Sequence, residues 1–334
     1  MFAITYRAFG PADTVLALQR IDCPPPGPGE VTVDLALSGV NPSDVKARAG
    51  ARAGVTALSF PAIVPHSDGA GVISAVGAGV GGDRIGQRVW IWNGQWRRPF
   101  GTAAERITLP AVQAVPLPAG TDMATGATLG IPGLTACHCV FAGGDIAGAT
   151  VLVQGGAGTV GFLAVQLAKW GGARVIATAS GAGIDRARAA GADTVLDYAD
   201  PDLATAITGA NDGRPVDRIV EVEFGANAET DAAVIAENGR ITAYGSARVP
   251  APAMPFYPLL FKGVTIETAL VYLLPPAIRA DRIDRLHRAM DAGALHSPVQ
   301  QVFDLVDCAA AHRAVEAGHR RGAILVRTGG ADSS

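Results

Sequence analysis

The sequence predicts an α/β chain in which a doubly wound parallel sheet follows a mostly-β part. Three observations carry this. Residues 149–161 read as a buried strand (Val151, Leu152, Val153), a glycine-rich turn and the start of a helix. Phe162, Leu163, Val165 and Leu167 continue that helix, and a strand follows at 173–179, so the stretch is one βαβ unit. Strand and helix patterns then alternate to residue 265, whereas residues 1–123 hold short apolar runs broken by Gly, Pro and Asp.

Taken in order, residues 1–7 read as an opening strand and not as a secretory leader. Residues 24–29, rich in proline and glycine, form a rigid turn. Strands are expected at 31–37, 71–76, 88–92 and 104–109. The alternating part supplies six more, at 151–154, 174–179, 194–196, 218–222, 239–243 and 264–267, as a doubly wound sheet requires. From residue 277 an amphipathic helix (Ile283, Leu286, Met290) precedes a helix near 309–317 and a strand at 323–327. That last strand has no place in the second sheet, so the tail is expected to return to the first part. Residues 329–334 are expected to fray.

Composition narrows the function. The chain has 334 residues, 49% hydrophobic and 17% charged, enough for two folded domains. A net charge of -3 gives no basic face for nucleic acid and no attraction to an acidic membrane surface. No apolar run is long enough for a transmembrane helix. The cysteines, Cys23, Cys137, Cys139 and Cys308, are too scattered for a disulfide framework, and a reducing cytoplasm is the simplest setting.

The turn in the βαβ unit carries G-x-G-x-x-G at Gly156, Gly158 and Gly161, with Ala157, Thr159 and Val160 between. Gly156 is expected to let the chain turn, Gly158 to let a pyrophosphate approach and Gly161 to let helix and strand lie close. The helix's first-turn N–H groups lack partners and suit a phosphate. An acid ending the second strand would hold a ribose 2′-hydroxyl and repel a 2′-phosphate. Residues 177–181 contain none, which favours NADPH. Ser180 can donate a hydrogen bond there, and Arg186 or Arg188 can supply charge. Asp185 weakens that charge, and Arg188 reads equally as part of a solvated helix face.

With the segments 39–50, 67–77, 130–136, 196–198 and 239–246, this turn makes the chain similar to the medium-chain dehydrogenase/reductase superfamily. It most resembles the zinc-free quinone oxidoreductases related to zeta-crystallin. The resemblance implies a GroES-like, mostly-β catalytic domain over 1–123, completed by 266–334, and a Rossmann domain over 124–265. It implies that Asn41 and Thr135 lie near the nicotinamide and Tyr198 near the 2′-phosphate. Gly245 and Ser246 would close over the cofactor, and Leu270 and Tyr272 belong to a segment reaching its carboxamide. It also implies a homodimer with 264–274 as the seam.

Zinc-dependent relatives place metal ligands where this chain has Asn41, Ser67 and Ile131, so no zinc is expected. His66 reads as a loop residue bonded to backbone. Cys137, His138 and Cys139 fall on a helix, where neighbours point about 100° apart and do not converge. His66, Ser67 and Asp68 are sequence neighbours and form no triad.

Without a metal the accessible reaction is hydride donation to an electrophilic quinone or α,β-unsaturated carbonyl. Asn41 is the candidate donor to the acceptor oxygen, its alternative being a turn with Pro42. Lys46 stands where relatives carry a tyrosine, and reads either as the proton donor or as an exposed lysine. Asp44 is expected to tie loops together. Trp90, Trp92 and Trp96 suit a planar acceptor or simple packing equally. Two rival functions remain. One is an enoyl-thioester reductase using Arg97 and Arg98 for a CoA phosphate. The other is an idle, crystallin-like NADPH-binding protein.

Overall fold

A seven-stranded mixed sheet and a six-stranded parallel sheet organise the chain. The computed structural model describes residues 1–52, 54–318 and 320–329. Its two units are Met1–Ile131 joined by the chain from Ser297 onward, and Pro132–His296.

The first unit begins with β1 (Phe2–Thr5), α1 (Ala12–Val15) and β2 (Ala17–Arg20), the two strands pairing antiparallel. The long β3 (Glu30–Val40) leads into α2 (Pro42–Ala49), then β4 (Asp68–Val76), β5 (Arg88–Ile91), β6 (Arg106–Pro110), β7 (Ala114–Pro116) and α3 (Met123–Gly126). β3 is central because both its edges are used: β4 pairs along its length and β6 along its first half. Val31, Val33 and Leu35 enter one apolar cluster with Ile73, Val89, Ile107 and Leu109. Val40 enters another with Ala3, Ile4, Val45 and Val64.

The second unit holds α4 (Leu134–Phe141), β8 (Thr150–Val153), α5 (Thr159–Trp170), β9 (Arg174–Ala179), α6 (Gly183–Ala189), β10 (Thr194–Asp197), α7 (Leu203–Ala210), β11 (Val216–Glu221), α8 (Phe224–Val234), β12 (Ile235–Ala243), α9 (Phe256–Phe261), β13 (Thr265–Thr268) and α10 (Pro276–Asp291). The sheet runs β10-β9-β8-β11-β12-β13, every pair parallel. β8 is buried along its whole length, as a central strand covered on both faces must be. Leu152, Ile176, Ile219 and Ile241 come from four adjacent strands and share one core with Ile207, Phe224 and Leu259. Strand order reverses between β8 and β11, and ligands of such sheets bind beyond the strand ends at that reversal.

The chain returns to the first unit with β14 (Val299–Asp304), α11 (Cys308–Glu316) and β15 (Ala323–Arg327). β15 pairs antiparallel with β3, which gives the tail the place predicted for it. The units differ from the expected bounds of 1–123 with 266–334 and 124–265. β13 completes the parallel sheet and α10 packs on α4, so the segment up to His296 stays with the second unit. The sequence reading did not find β2 and β7, which are short, or β14, a largely exposed edge strand without a buried face. The fraying expected for 329–334 lies, beyond Gly329, outside the described residues.

Leu152 is fully buried and Val112 is 71% exposed. Leu152→Ala is expected to cost about 2–5 kcal/mol of stability, and Val112→Ala less than about 0.5. Urea denaturation checks this, and similar losses in both variants would contradict the packing.

Candidate functional site

The glycine turn leaves β8 at its buried end. Gly155 has φ 69°, so the left-handed residue that makes the turn is Gly155 and not Gly156 as expected. Gly156 is needed for packing: a Cβ there would lie 2.8 Å from Ala177 Cβ on β9. At Gly161 a Cβ would sit 2.2 Å from the Gly155 carbonyl oxygen, so only glycine lets α5 start this close to the strand. A Cβ on Gly158 would meet only that same oxygen, at 3.4 Å. Gly158 caps α5 without a side-chain hydrogen bond, so the N–H groups of Thr159, Val160 and Gly161 have no cap of their own. Open backbone on one side and uncapped donors on the other fit a pyrophosphate.

Parallel pairing of β9 and β10 brings Ala179 opposite Asp197, and the next residues meet beyond the strand ends. Ser180 Oγ donates to the Tyr198 hydroxyl at 2.5 Å. Arg186 Nε donates to the Ala157 carbonyl at 2.8 Å, and its guanidinium lies 4.5 Å from the Phe162 ring centroid. Arg186 is thus fastened to the glycine turn itself. Arg188 instead makes an exposed ion pair with Asp185 at 2.9 Å.

Beyond β12, a Cβ on Gly245 would fall 2.3 Å from the Val222 carbonyl oxygen. Ser246 Oγ accepts from Gly225 N–H at 2.9 Å and donates to the Val249 carbonyl at 2.6 Å, so its hydroxyl is used within the loop. Glu223, which the sequence reading missed, accepts the N–H groups of Ala247, Arg248 and Val249 at 3.0, 2.6 and 3.4 Å. A chain of hydrogen bonds links the turn to α8. Gly155 N–H donates to Thr178 Oγ1, which donates to Gln154 Oε1, and Gln154 Nε2 donates to Asp231. Burial pushes the carboxyls of Asp231 and Glu221 above the usual range, and Asn227 donates to Glu221 at 3.1 Å. Leu270 is about half exposed and Tyr272 is buried, flanking Val271 in a short turn. Arg279 holds this turn by donating to the Val271 and Leu274 carbonyls, both at 3.1 Å. Thr135 is buried on α4.

In the first unit, Asn41 caps α2. Its N–H donates to Asp44 Oδ2, and its Nδ2 donates to Asp68 Oδ2, both at 2.8 Å. The amide is therefore oriented by Asp68 and retains a second N–H. A Cβ on Gly130 would lie 2.3 Å from Asp68 Oδ1, so glycine makes room for that carboxyl. Burial pushes Asp68 well above the usual range and Asp44 up to about 7. Lys46 is exposed on α2. Trp90 is fully buried, while Trp92 and Trp96 are half-buried.

His66 corrects its reading as a residue bonded to backbone. Its backbone is left-handed, φ 75°, and its ring bonds side chains. Thr102 Oγ1 donates to the Asp68 carbonyl at 2.5 Å, so Ser38 Oγ must donate to Thr102 and accept from His66 Nδ1, each at 2.8 Å. His66 Nε2 is left as an acceptor for His312 Nε2–H at 2.9 Å. Among the described residues, His66, Cys308 and His312 are the one group of three whose ligand atoms lie within 4.8 Å. Burial lowers both histidines, His312 to about 3, and raises the Cys308 thiol. The two facing nitrogens are spent on each other, so the group reads as a buried hydrogen-bond chain. Cys137 and His138 diverge, towards the Arg282 carbonyl at 3.5 Å and Glu267 at 2.7 Å.

Residues 27–119 match the family model for an alcohol dehydrogenase GroES-like domain, and 159–288 that for a zinc-binding dehydrogenase. A rat quinone oxidoreductase is 31% identical over 250 residues, covering 73% of each chain. An NAD-dependent alcohol dehydrogenase of known structure has a TM-score of 0.86 and 29% identity, covering 98% of this chain and 100% of its own. A mycobacterial protein solved in complex with NADPH has a TM-score of 0.84 and 26% identity, covering 98% of this chain and 100% of its own.

The buried Asp44 carboxyl makes stability depend on pH. Its folded pKa, about 7, exceeds the unfolded value of 3.8, so the folded state binds the proton more tightly. The resulting stabilisation is full at low pH and is lost as pH rises from about 4 to 7. Asp44→Asn keeps an acceptor for Asn41 N–H and removes the titration. Its melting temperature relative to the parent is expected to be higher at pH 8 than at pH 5 by more than about 3 °C. A difference independent of pH would contradict burial as the cause.

Proposed function

The chain belongs to the medium-chain dehydrogenase/reductase superfamily and, within it, to the quinone oxidoreductases; from that premise we propose a zinc-independent, NADPH-dependent reductase of quinones and other α,β-unsaturated carbonyls. One observation carries the cofactor reading: the glycine cradle adjoins a second strand that itself ends without an acid, where the hydroxyls of Ser180 and Tyr198 pair. When bound, NADPH supplies a hydride to the electrophilic carbon of the acceptor, whose displaced electron pair moves to the carbonyl oxygen and then takes a proton.

The chain's own groups divide the remaining work. Gly156, Ala157 and Gly158, with the first-turn donors of Thr159, Val160 and Gly161, hold the pyrophosphate. Ser180, Tyr198 and Arg186 hold the 2′-phosphate. Thr135, Gly245, Ser246, Leu270 and Tyr272 border the nicotinamide half, with Glu223 fixing the loop after β12. Asn41, oriented by Asp68, donates its second N–H to the acceptor oxygen, and exposed Lys46 delivers the proton. Zinc independence rests on Asn41, Ser67 and Ile131, none of which offers thiolate or imidazole. Arg98 is occupied by the Gly94 carbonyl and Gln113 Oε1, at 2.7 and 2.8 Å, which weakens the enoyl-thioester reading.

The homodimer reading is supported by β13, last in its sheet among the described residues, and by Tyr257, Leu260 and Phe261 exposed on the preceding helix α9. A second copy pairing there would cover both. No described helix is long and apolar enough to cross a membrane, and a reducing cytoplasm suits the four unpaired cysteines.

Purified protein treated with a chelator is expected to oxidise NADPH with 1,4-benzoquinone, and NADH much more slowly. Ser180→Asp is expected to raise the KM for NADPH by more than about tenfold while sparing NADH. Equal effects on both cofactors would overturn the 2′-phosphate assignment, and NADPH binding without turnover of any acceptor would leave the idle reading. Light scattering is expected to give a dimer, converted to monomer by Phe261→Asp; a monomeric parent protein removes the seam.

A further inference from the structure

A cavity of ≈ 320 Å³ opens in the first unit beside α2. Its walls include the aromatic side chains Tyr6, Phe9, Phe60 and Trp96 among aliphatic ones such as Ile63. Two guanidinium groups, of Arg52 and Arg97, line the same space, and none of the described lining residues is acidic. Arg52 Nη2 donates to the Ser43 carbonyl at 3.2 Å, which anchors it to the first turn of α2 with one of its five N–H groups. Arg97 is exposed and stands 5.3 Å from the Trp96 ring centroid. Its backbone is left-handed, φ 59°, a conformation that a long side chain disfavours and that the surrounding loop must impose. Neither arginine forms an ion pair among the described residues.

We propose that this cavity receives an acceptor bearing a carboxylate: a small conjugated acid whose flat part lies on Trp96 and Phe60 and whose carboxylate is held by Arg52 and Arg97. The proposal deepens the reductase reading above and rests on it. A guanidinium fork matches the two oxygens of a carboxylate, and the flat apolar part of the ligand gains by covering aromatic faces. A cavity of this volume takes a compact ligand, not the nucleotide end of a coenzyme thioester. Helix α2, which Asn41 caps and which carries Lys46, also supplies Ala47 to the wall, so the cavity and the groups proposed for chemistry share one helix.

Paired acceptors that differ only in charge test this: 4-(3-oxobut-1-enyl)benzoate and its methyl ester, each with NADPH. The parent protein is expected to favour the acid by about tenfold or more in kcat/KM, the preference falling as salt rises. Arg52→Ala and Arg97→Ala are each expected to cut the acid-to-ester ratio about tenfold, mainly through KM for the acid. Turnover of the ester reports that each variant is folded. A ratio near one in the parent, or a ratio unchanged in both variants, overturns the proposal. Crotonyl-CoA separates another source of anion: variants that slow the thioester while keeping the acid-to-ester ratio would put phosphates at the arginines and overturn it too. Calorimetric titration with the saturated acid, 4-(3-oxobutyl)benzoate, separates the pocket from the reaction. Binding lost in Arg97→Ala, with neither acceptor turned over, would support the pocket and remove the reductase reading. Turnover of the ester without binding of the saturated acid would do the reverse.

Discussion

The close approach of α5 to the end of β8 is the constraint on which the second unit depends. With a Cβ at Gly161 placed 2.2 Å from the Gly155 oxygen, any side chain would push the helix away from the strand. The uncapped N–H groups would then no longer stand at the sheet's edge, where the strand order reverses. Packing and ligand geometry are therefore one requirement here, met by the same missing atom. Gly156 extends it sideways, since its bare Cα lets β9 carry Ala177 against the turn.

Buried polar chains carry that geometry outward. On the path from Gly155 to Asp231, the side chains of Thr178, Gln154 and Asp231 are buried, where solvent does not replace a lost partner. Each unmade bond there would cost about 1–3 kcal/mol, which keeps the path in one arrangement. Glu223 does similar work at the surface by gathering three successive N–H groups of the 247–249 segment. Arg279 does it for the turn at Val271 by gathering carbonyls. One anion for donors and one cation for acceptors thus fix two irregular segments that have no ladder of their own.

The first unit uses the same device around Asn41. Asp44 takes its backbone N–H and Asp68 its side-chain N–H, so the residue is held from two sides at the start of α2. Such holding needs buried carboxyls, whose ionisation burial opposes. The Ser38, His66 and His312 chain continues the pattern, each group donating to the next, with the Asp68 carbonyl as its fixed end.

How much was legible in the sequence follows from the range of each interaction. Local patterns fixed the six parallel strands, the helix after the glycine turn and the return of the strand at Ala323–Arg327, because periodicity and glycine spacing act over a few residues. They also marked Gly161, whose close contact lies six residues back in the chain. Which glycine turns left-handed was misread, since Gly155 and Gly156 are identical in sequence and only the path to β9 separates them. The partners of Asn41 and His66, the clasp of Glu223 and the meeting of Arg52 with Arg97 around one cavity were invisible. Apart from Asp44, three residues from Asn41, these residues are separated by tens to hundreds of residues or by the course of a loop, so only the folded backbone brings them together. The sequence determined which elements form and where a dinucleotide could sit; tertiary structure decided which polar groups face one another, because burial and pairing are properties of the assembled chain.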